Sequence, residues 1–150
     1  MIRKAKITEV PEIRRMLSEF AKIGEVLPRT LANLYSQVRD YCVYREDKGP
    51  LIGVAALHIS WDGLAEIRSL VVLPDHQGRG IGSSLVQSCL EEARQLGLRQ
   101  VFVLTATPQY FQRFGFRLFP REELPPIVWA DCVDCVKFPD CDEVPLMLDL

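Results

Sequence analysis

Residues 64–105 restrict the folds open to this chain more than any other stretch. An extended run over residues 64–73 stops at Pro74 and gives way to Gln77-Gly78-Arg79-Gly80-Ile81-Gly82-Ser83. Beyond the glycines, Ile81, Leu85, Cys89 and Ala93 recur every four residues, the apolar stripe of a helix. Leu96 then precedes Gly97, a residue suited to closing a helix in the left-handed conformation. Val101-Phe102-Val103-Leu104 is a short continuous apolar run, the mark of a strand covered on both faces. Strand, helix and strand in this order make a βαβ unit, whose two strands are parallel.

The remaining segments have to fit around that unit. Residues 2–7 read as a first strand, and Thr8 as the N-cap of a helix to residue 22 with Pro11 in its first turn. Ile13, Met16, Leu17 and Phe20 supply the buried stripe of that helix. Gly24 and Pro28 interrupt it, and a second helix is expected over residues 30–39. Strand-like runs at 41–45, 51–59 and 64–73 are separated by Gly49-Pro50 and Trp61-Asp62-Gly63, which predicts an antiparallel meander. A short helix over 109–114 and irregular strand-like pieces complete the chain. With no repeat or Gly/Ser linker, residues 1–150 are expected to form one domain of α/β (α+β) class with a mixed sheet.

Glycines after a strand let a ligand approach the backbone, and the first amides of the following helix point outward unpaired. Together with Arg79, such a helix start suits a phosphate or pyrophosphate. A nucleoside-triphosphate P-loop would need Gly-Lys-Ser/Thr, and no lysine follows here. A dinucleotide fingerprint would need Gly or Ala at Ser83 and an acid ending the next strand, which ends in Thr105-Ala106-Thr107 instead. The alternative is a glycine turn that binds nothing. The net charge of −2 and pI near 5.7 exclude the broad basic surface of a general nucleic-acid binder, so any anion site is local. No apolar run reaches membrane-spanning length, and residues 1–6 carry no signal-like apolar segment. The expected setting is cytoplasmic, without membrane or nucleic-acid partners.

Gln77-Gly78-Arg79-Gly80-Ile81-Gly82, set between a strand and a helix, resembles the cofactor loop of the GNAT superfamily of N-acetyltransferases. The resemblance extends to the N-terminal strand and helices, the meander, Leu70-Val71-Val72-Leu73-Pro74, and Phe111-Gln112-Arg113-Phe114-Gly115-Phe116. It implies acetyl-CoA as cosubstrate, its pyrophosphate on residues Gln77 to Ser83 and its pantetheine between two splayed parallel strands. Leu70, Val71, Val72, Gln77, Gly78, Arg79, Gly80, Ile81, Gly82, Ser83 and Phe111 are thereby implied as cofactor-binding residues.

Glu66 and Arg68 lie two apart on the strand before the loop and so share a face. Read from the residues alone, they are either an ion pair on a solvated face or parts of a site. Ala65-Glu66-Ile67-Arg68-Ser69-Leu70, with Val101-Phe102-Val103-Leu104-Thr105, resembles the acetyltransferase domain of bacterial N-acetylglutamate synthases, in their short, stand-alone form. The long forms carry an amino-acid-kinase-like domain for which 150 residues leave no room. The resemblance implies Glu66 as general base through water, and Thr105 as the hydroxyl facing the departing thiolate. It also implies Arg29 and Arg68 as clamps on a substrate carboxylate, a role suited to the forked guanidinium.

The implied reaction is direct acetyl transfer to the α-amino group of L-glutamate, the first step of arginine biosynthesis; a homodimer is one assembly open to the chain, and the sequence does not fix the oligomeric state. Two positions depart from the pattern. Phe111 stands where many relatives carry a tyrosine acid, and Glu143-Val144-Pro145-Leu146-Met147 lacks the basic residue of the long forms. The alternatives are the same chemistry on another small amine, and a CoA-binding sensor without turnover.

Five cysteines and no signal segment point to reduced thiols. Cys132, Cys135 and Cys141 form Cys-x₂-Cys-x₅-Cys near the end, one ligand short of a structural zinc site. Simple packing is the reading that competes with metal, and no resident metal is expected.

Overall fold

A computed structural model describes residues 1–22, 29–126, 128 and 143–150. The chain divides into two compact units, Met1–Leu57 with Ile67–Glu92, and His58–Glu66 with Ala93–Leu150. The strands are β1 (Ile2–Lys4), β2 (Tyr41–Arg45), β3 (Leu51–Trp61), β4 (Leu64–Val72), β5 (Gln100–Thr105), β6 (Arg117–Leu118) and β7 (Val144–Asp149). The helices are α1 (Val10–Lys22), α2 (Leu31–Ser36), α3 (Ile81–Gln95) and α4 (Pro108–Gln112). The sheet order is β1-β2-β3-β4-β5-β7-β6, mostly antiparallel, with β4 and β5 as a parallel pair. This is the mixed sheet expected from the βαβ unit.

In the first unit, Ile13, Leu17 and Leu34 from α1 and α2 join Tyr41, Val43 and Val54 from the sheet in one apolar cluster. Arg14, Arg15 and Glu19 occupy the exposed face of α1, as the spacing predicts. Each buried large aliphatic side chain contributes about 1.5–3 kcal/mol, so this face fixes α1 to the sheet. Gly53 of β3 has a packing role: a Cβ there would sit 3.0 Å from Leu85 and 3.2 Å from the Val71 carbonyl. Its absence lets α3 lie close to the sheet at the helix that follows the glycine loop.

The helix start differs from the expectation at Thr8. Residues 7–9 form a single 3-10 turn, Ile7–Glu9, and α1 begins at Val10. Lys6 stands at the N-cap position of that turn, and Glu9, three residues on, reaches back so that its Oε1 accepts the Lys6 N–H at 2.9 Å. Glu9 also accepts Arg3 through both carboxylate oxygens at 2.8 and 2.9 Å, and Arg45 Nε at 3.2 Å. These donors, Arg3 foremost, outweigh desolvation and hold the Glu9 carboxyl down to about 2 from an ordinary 4.5.

Because the folded pKa lies below the unfolded one, the stabilisation is complete above pH 4.5 and is lost as pH falls from there toward 2. Its size is at most about 3 kcal/mol. Glu9→Gln should lower unfolding free energy at neutral pH by roughly 2–3 kcal/mol and flatten the acid limb of the stability curve. Urea titrations followed by circular dichroism from pH 2 to 7 measure both. An unchanged acid limb would remove Glu9 as its origin.

The second unit opens with the β3–β4 hairpin, whose turn is Asp62-Gly63 with Gly63 at φ +72°, a two-residue loop of the predicted kind. β4 and β5 pair in parallel over Leu64↔Gln100, Ala65↔Val101 and Glu66↔Phe102. β5 pairs along its whole length with β7, which carries β6 on its far side. Leu64, Phe102, Leu124, Val128 and Met147 make the core of this unit. At the end of α3, Gly97 has φ +81°, its N–H donates to the Arg94 carbonyl and the Leu98 N–H to Ala93. This double bond pattern is the glycine stop foreseen at that position. Among the described residues, no helix is long and apolar enough to cross a membrane.

Candidate active site

The glycine loop belongs to the first unit. Leu73 donates its N–H to the Ile52 carbonyl at 2.9 Å, and Gln77 Nε2 donates to the Val72 carbonyl at 3.0 Å, so the end of β4 is tied down before the turn. Gly78 and Gly80 both have φ +80°, and a Cβ on either would meet nothing within 4 Å. Backbone conformation, not crowding, therefore requires glycine there. The space beside the loop is open. The first helical bond of α3 runs from Ser84 N–H to the Gly80 carbonyl at 3.0 Å, so the Ile81 and Gly82 amides precede it and face out of the helix end. Arg79 is exposed beside them. An open cradle, outward amides and a cation fit a pyrophosphate. Of the three strand residues before the loop, Val71 is committed to the core at 3% exposure, while Leu70 and Val72 are half-buried.

Exposure along β4 alternates: Ala65, Ile67, Ser69 and Val71 are buried, and Glu66, Arg68, Leu70 and Val72 are half-buried. Glu66 and Arg68 thus share the accessible face, as their spacing predicts. Arg68 Nη2 donates to Gln37 Oε1 at 2.8 Å. The next residue, Ser69, has φ +58°, a left-handed conformation for a buried non-glycine residue inside a strand. Such a conformation costs about 1–3 kcal/mol and clusters at functional positions. Arg29 is half-buried immediately before Thr30, whose Oγ1 accepts the Asn33 N–H at 3.1 Å and starts α2. Leu27 and Pro28, which precede Arg29, lie outside the described residues.

In the second unit, Glu66 is the register partner of Phe102, three residues before Thr105 on β5. At about 3.3 Å per residue their Cα atoms are separated by about 10 Å along the strands. The Thr105 side of β5 that faces away from the Glu66 register is covered, since Val103, Leu104 and Thr105 pair with Leu146, Pro145 and Val144 of β7. Thr105 is 8% exposed. Its Oγ1 accepts the Thr107 N–H at 2.9 Å and lies 3.1 Å from Thr107 Oγ1. With the Thr107 N–H bonded to this oxygen, the Thr105 hydroxyl proton can go either to Thr107 Oγ1 or to a ligand. Phe111 is 7% exposed and packs edge-on against Tyr110 and Phe116, at centroid distances of 5.2 and 5.7 Å. The Arg113 guanidinium lies 4.7 Å over the Tyr110 ring.

Three features escaped the sequence reading. Thr107 had a local signal, because a hydroxyl two residues before a backbone amide forms a compact turn. Gln37 had none, since it meets Arg68 only through tertiary folding. The left-handed Ser69 had none either, glycine being the residue that advertises such a conformation. Cys132, Cys135 and Cys141 lie outside the described residues. Cys42 and Cys89 face each other, with sulfurs 4.0 Å apart and both side chains buried. Among the described residues, no group of three or more His, Cys, Asp and Glu could hold a metal ion.

The chain matches the Acetyltransferase (GNAT) family over residues 10–116. It is 34% identical over 149 residues to an uncharacterized N-acetyltransferase of Chlorobaculum tepidum, covering 99% of this chain and 96% of that protein. An amino-acid acetyltransferase of Mycobacterium tuberculosis is 37% identical over 119 residues, 77% of this chain and 67% of that protein. Among solved structures, N-acetylglutamate synthase from Neisseria gonorrhoeae, complexed with coenzyme A and N-acetyl-glutamate, superposes with a TM-score of 0.86 at 25% identity. That comparison covers 100% of this chain and 35% of the longer synthase.

Proposed function

Because the chain belongs to the Acetyltransferase (GNAT) family, and is thereby an N-acetyltransferase that uses acetyl-CoA, we propose that its acceptor is the α-amino group of L-glutamate. The observation that carries this reading is Arg68, a guanidinium on the accessible face of β4, two residues from Glu66 and hydrogen-bonded to Gln37. The amino-acid acetyltransferase relative and the synthase solved with N-acetyl-glutamate support the same acceptor class. The reading makes residues 1–150 one catalytic domain, serving arginine biosynthesis in a cytoplasm where Cys42 and Cys89 stay as thiols.

Bound acetyl-CoA supplies an activated acetyl group on a thioester. The Ile81 and Gly82 amides with Arg79 hold its pyrophosphate, and Gly78 and Gly80 let it come close to the backbone. Leu70, Val72 and the remaining loop residues Gln77 and Ser83 line its path. Arg29 and Arg68 hold acceptor carboxylate. Glu66, through water, removes a proton from the α-ammonium group so that a neutral amine can attack. Thr105 donates a hydrogen bond to the departing sulfur while Thr107 N–H fixes its oxygen. A threonine hydroxyl is a weak acid, so it stabilises the thiolate rather than protonating it.

Initial rates with varied L-glutamate test the carboxylate clamp. Arg68→Ala and Arg29→Ala should each raise the glutamate KM by roughly tenfold or more, the worth of a hydrogen bond to a charged group, and leave the acetyl-CoA KM nearly unchanged. If neither moves the glutamate KM, the acceptor is not held by these arginines.

A further inference from the structure

We propose that Gln37 is the positioning residue of the acceptor site, aiming the Arg68 guanidinium at the acceptor carboxylate without placing a negative charge of its own beside it; this rests on the reading of Arg68 as a carboxylate clamp. Gln37 stands between α2 and the 3-10 turn Val38–Asp40, with φ −114° and ψ 20°. Its N–H donates to the Asn33 carbonyl at 3.0 Å, and its own carbonyl accepts the Asp40 N–H at 2.9 Å. The backbone of Gln37 is therefore fixed on both sides, and its half-buried side chain projects from a rigid base. From there Oε1 accepts Arg68 Nη2 at 2.8 Å.

An arginine side chain has several rotatable bonds, and holding one terminal nitrogen removes much of that freedom before the acceptor arrives. The chemical identity of the holder matters as much as its place. A carboxylate at the same position would orient the guanidinium equally well. It would also pair with it and compete with the acceptor for its charge. An amide oxygen accepts the hydrogen bond and adds no negative charge beside the guanidinium.

Gln37→Glu separates this role from a structural one. The substitution preserves shape and hydrogen-bond acceptor, so a residue that only braces α2 against β4 would tolerate it, and the closer ion pair would raise the melting temperature. The positioning role predicts the opposite outcome for binding. The glutamate KM should rise roughly tenfold or more, exceeding any change in kcat by a similar factor, with the acetyl-CoA KM unchanged. Gln37→Met, which keeps the volume and loses the acceptor, should give a smaller rise.

Glutamine and isoglutamine, each lacking one carboxylate of glutamate, sharpen the result. The Gln37→Glu penalty should persist for one of them and vanish for the other, identifying which carboxylate Arg68 holds. If Arg68→Ala raises the glutamate KM but Gln37→Glu does not, the positioning role is overturned and the clamp stands. If Arg68→Ala leaves that KM unchanged, the clamp fails and the inference with it. Changes in kcat or melting temperature alone would mark Gln37 as structural and overturn the proposal.

Discussion

Glu66→Gln is expected to lower kcat/KM for acetyl transfer by roughly 10²–10³-fold at neutral pH, the usual contribution of a general base. Glutamine keeps the size and hydrogen-bond geometry of the side chain and removes its basicity. Glu66 sits in a defined place: it pairs in register with Phe102, lies half-buried on the accessible face of β4, and precedes Arg68 by two residues. Thermal melting measured alongside tells a loss of fold from a loss of the base.

The pH dependence gives the sharper distinction. An amino-acid ammonium group loses its proton to solvent as pH rises, so the variant's deficit should shrink steadily toward the amine's own pKa. A residue that merely shaped the acceptor site would leave a deficit independent of pH. Retention of activity within about threefold at neutral pH would instead assign the base to another group.

The parts of the site that could be read from residue order are those whose chemistry is local. The two-residue Asp62-Gly63 turn and the Gly97 helix stop depend on glycine's freedom at φ +72° and +81°, and both were legible for that reason. The same holds for Gly78 and Gly80, whose positive φ values mark the loop. The shared face of Glu66 and Arg68 follows from the two-residue period of a strand.

Elsewhere tertiary partners decide the outcome. Thr8 is an acceptable cap by its type, yet Arg3 and Arg45 draw Glu9 inward, and Glu9 reaches back to the Lys6 N–H. The helix expected over residues 30–39 is divided at Gln37, where a 3-10 turn takes over. The place of β7 between β5 and β6 depends on pairing across a long stretch of chain, and nothing local announces it. Gln37 itself shows the limit: a glutamine at a helix end carries no mark of the arginine it meets.

The acceptor's identity decides whether Arg29 and Arg68 form a carboxylate site. A guanidinium clamp built for a second carboxylate should discriminate strongly, because an uncharged analogue leaves Arg29 or Arg68 without its intended partner. The direct measurement is a competition. The purified protein is given limiting acetyl-CoA and an equimolar mixture of the common amino acids, and the acetylated products are resolved by mass spectrometry. The account predicts N-acetyl-L-glutamate as the dominant product, exceeding N-acetyl-glutamine by roughly thirtyfold or more. Another acetylated amino acid in first place would contradict the assignment of glutamate, and consumption of no acetyl-CoA at all would contradict the site as drawn.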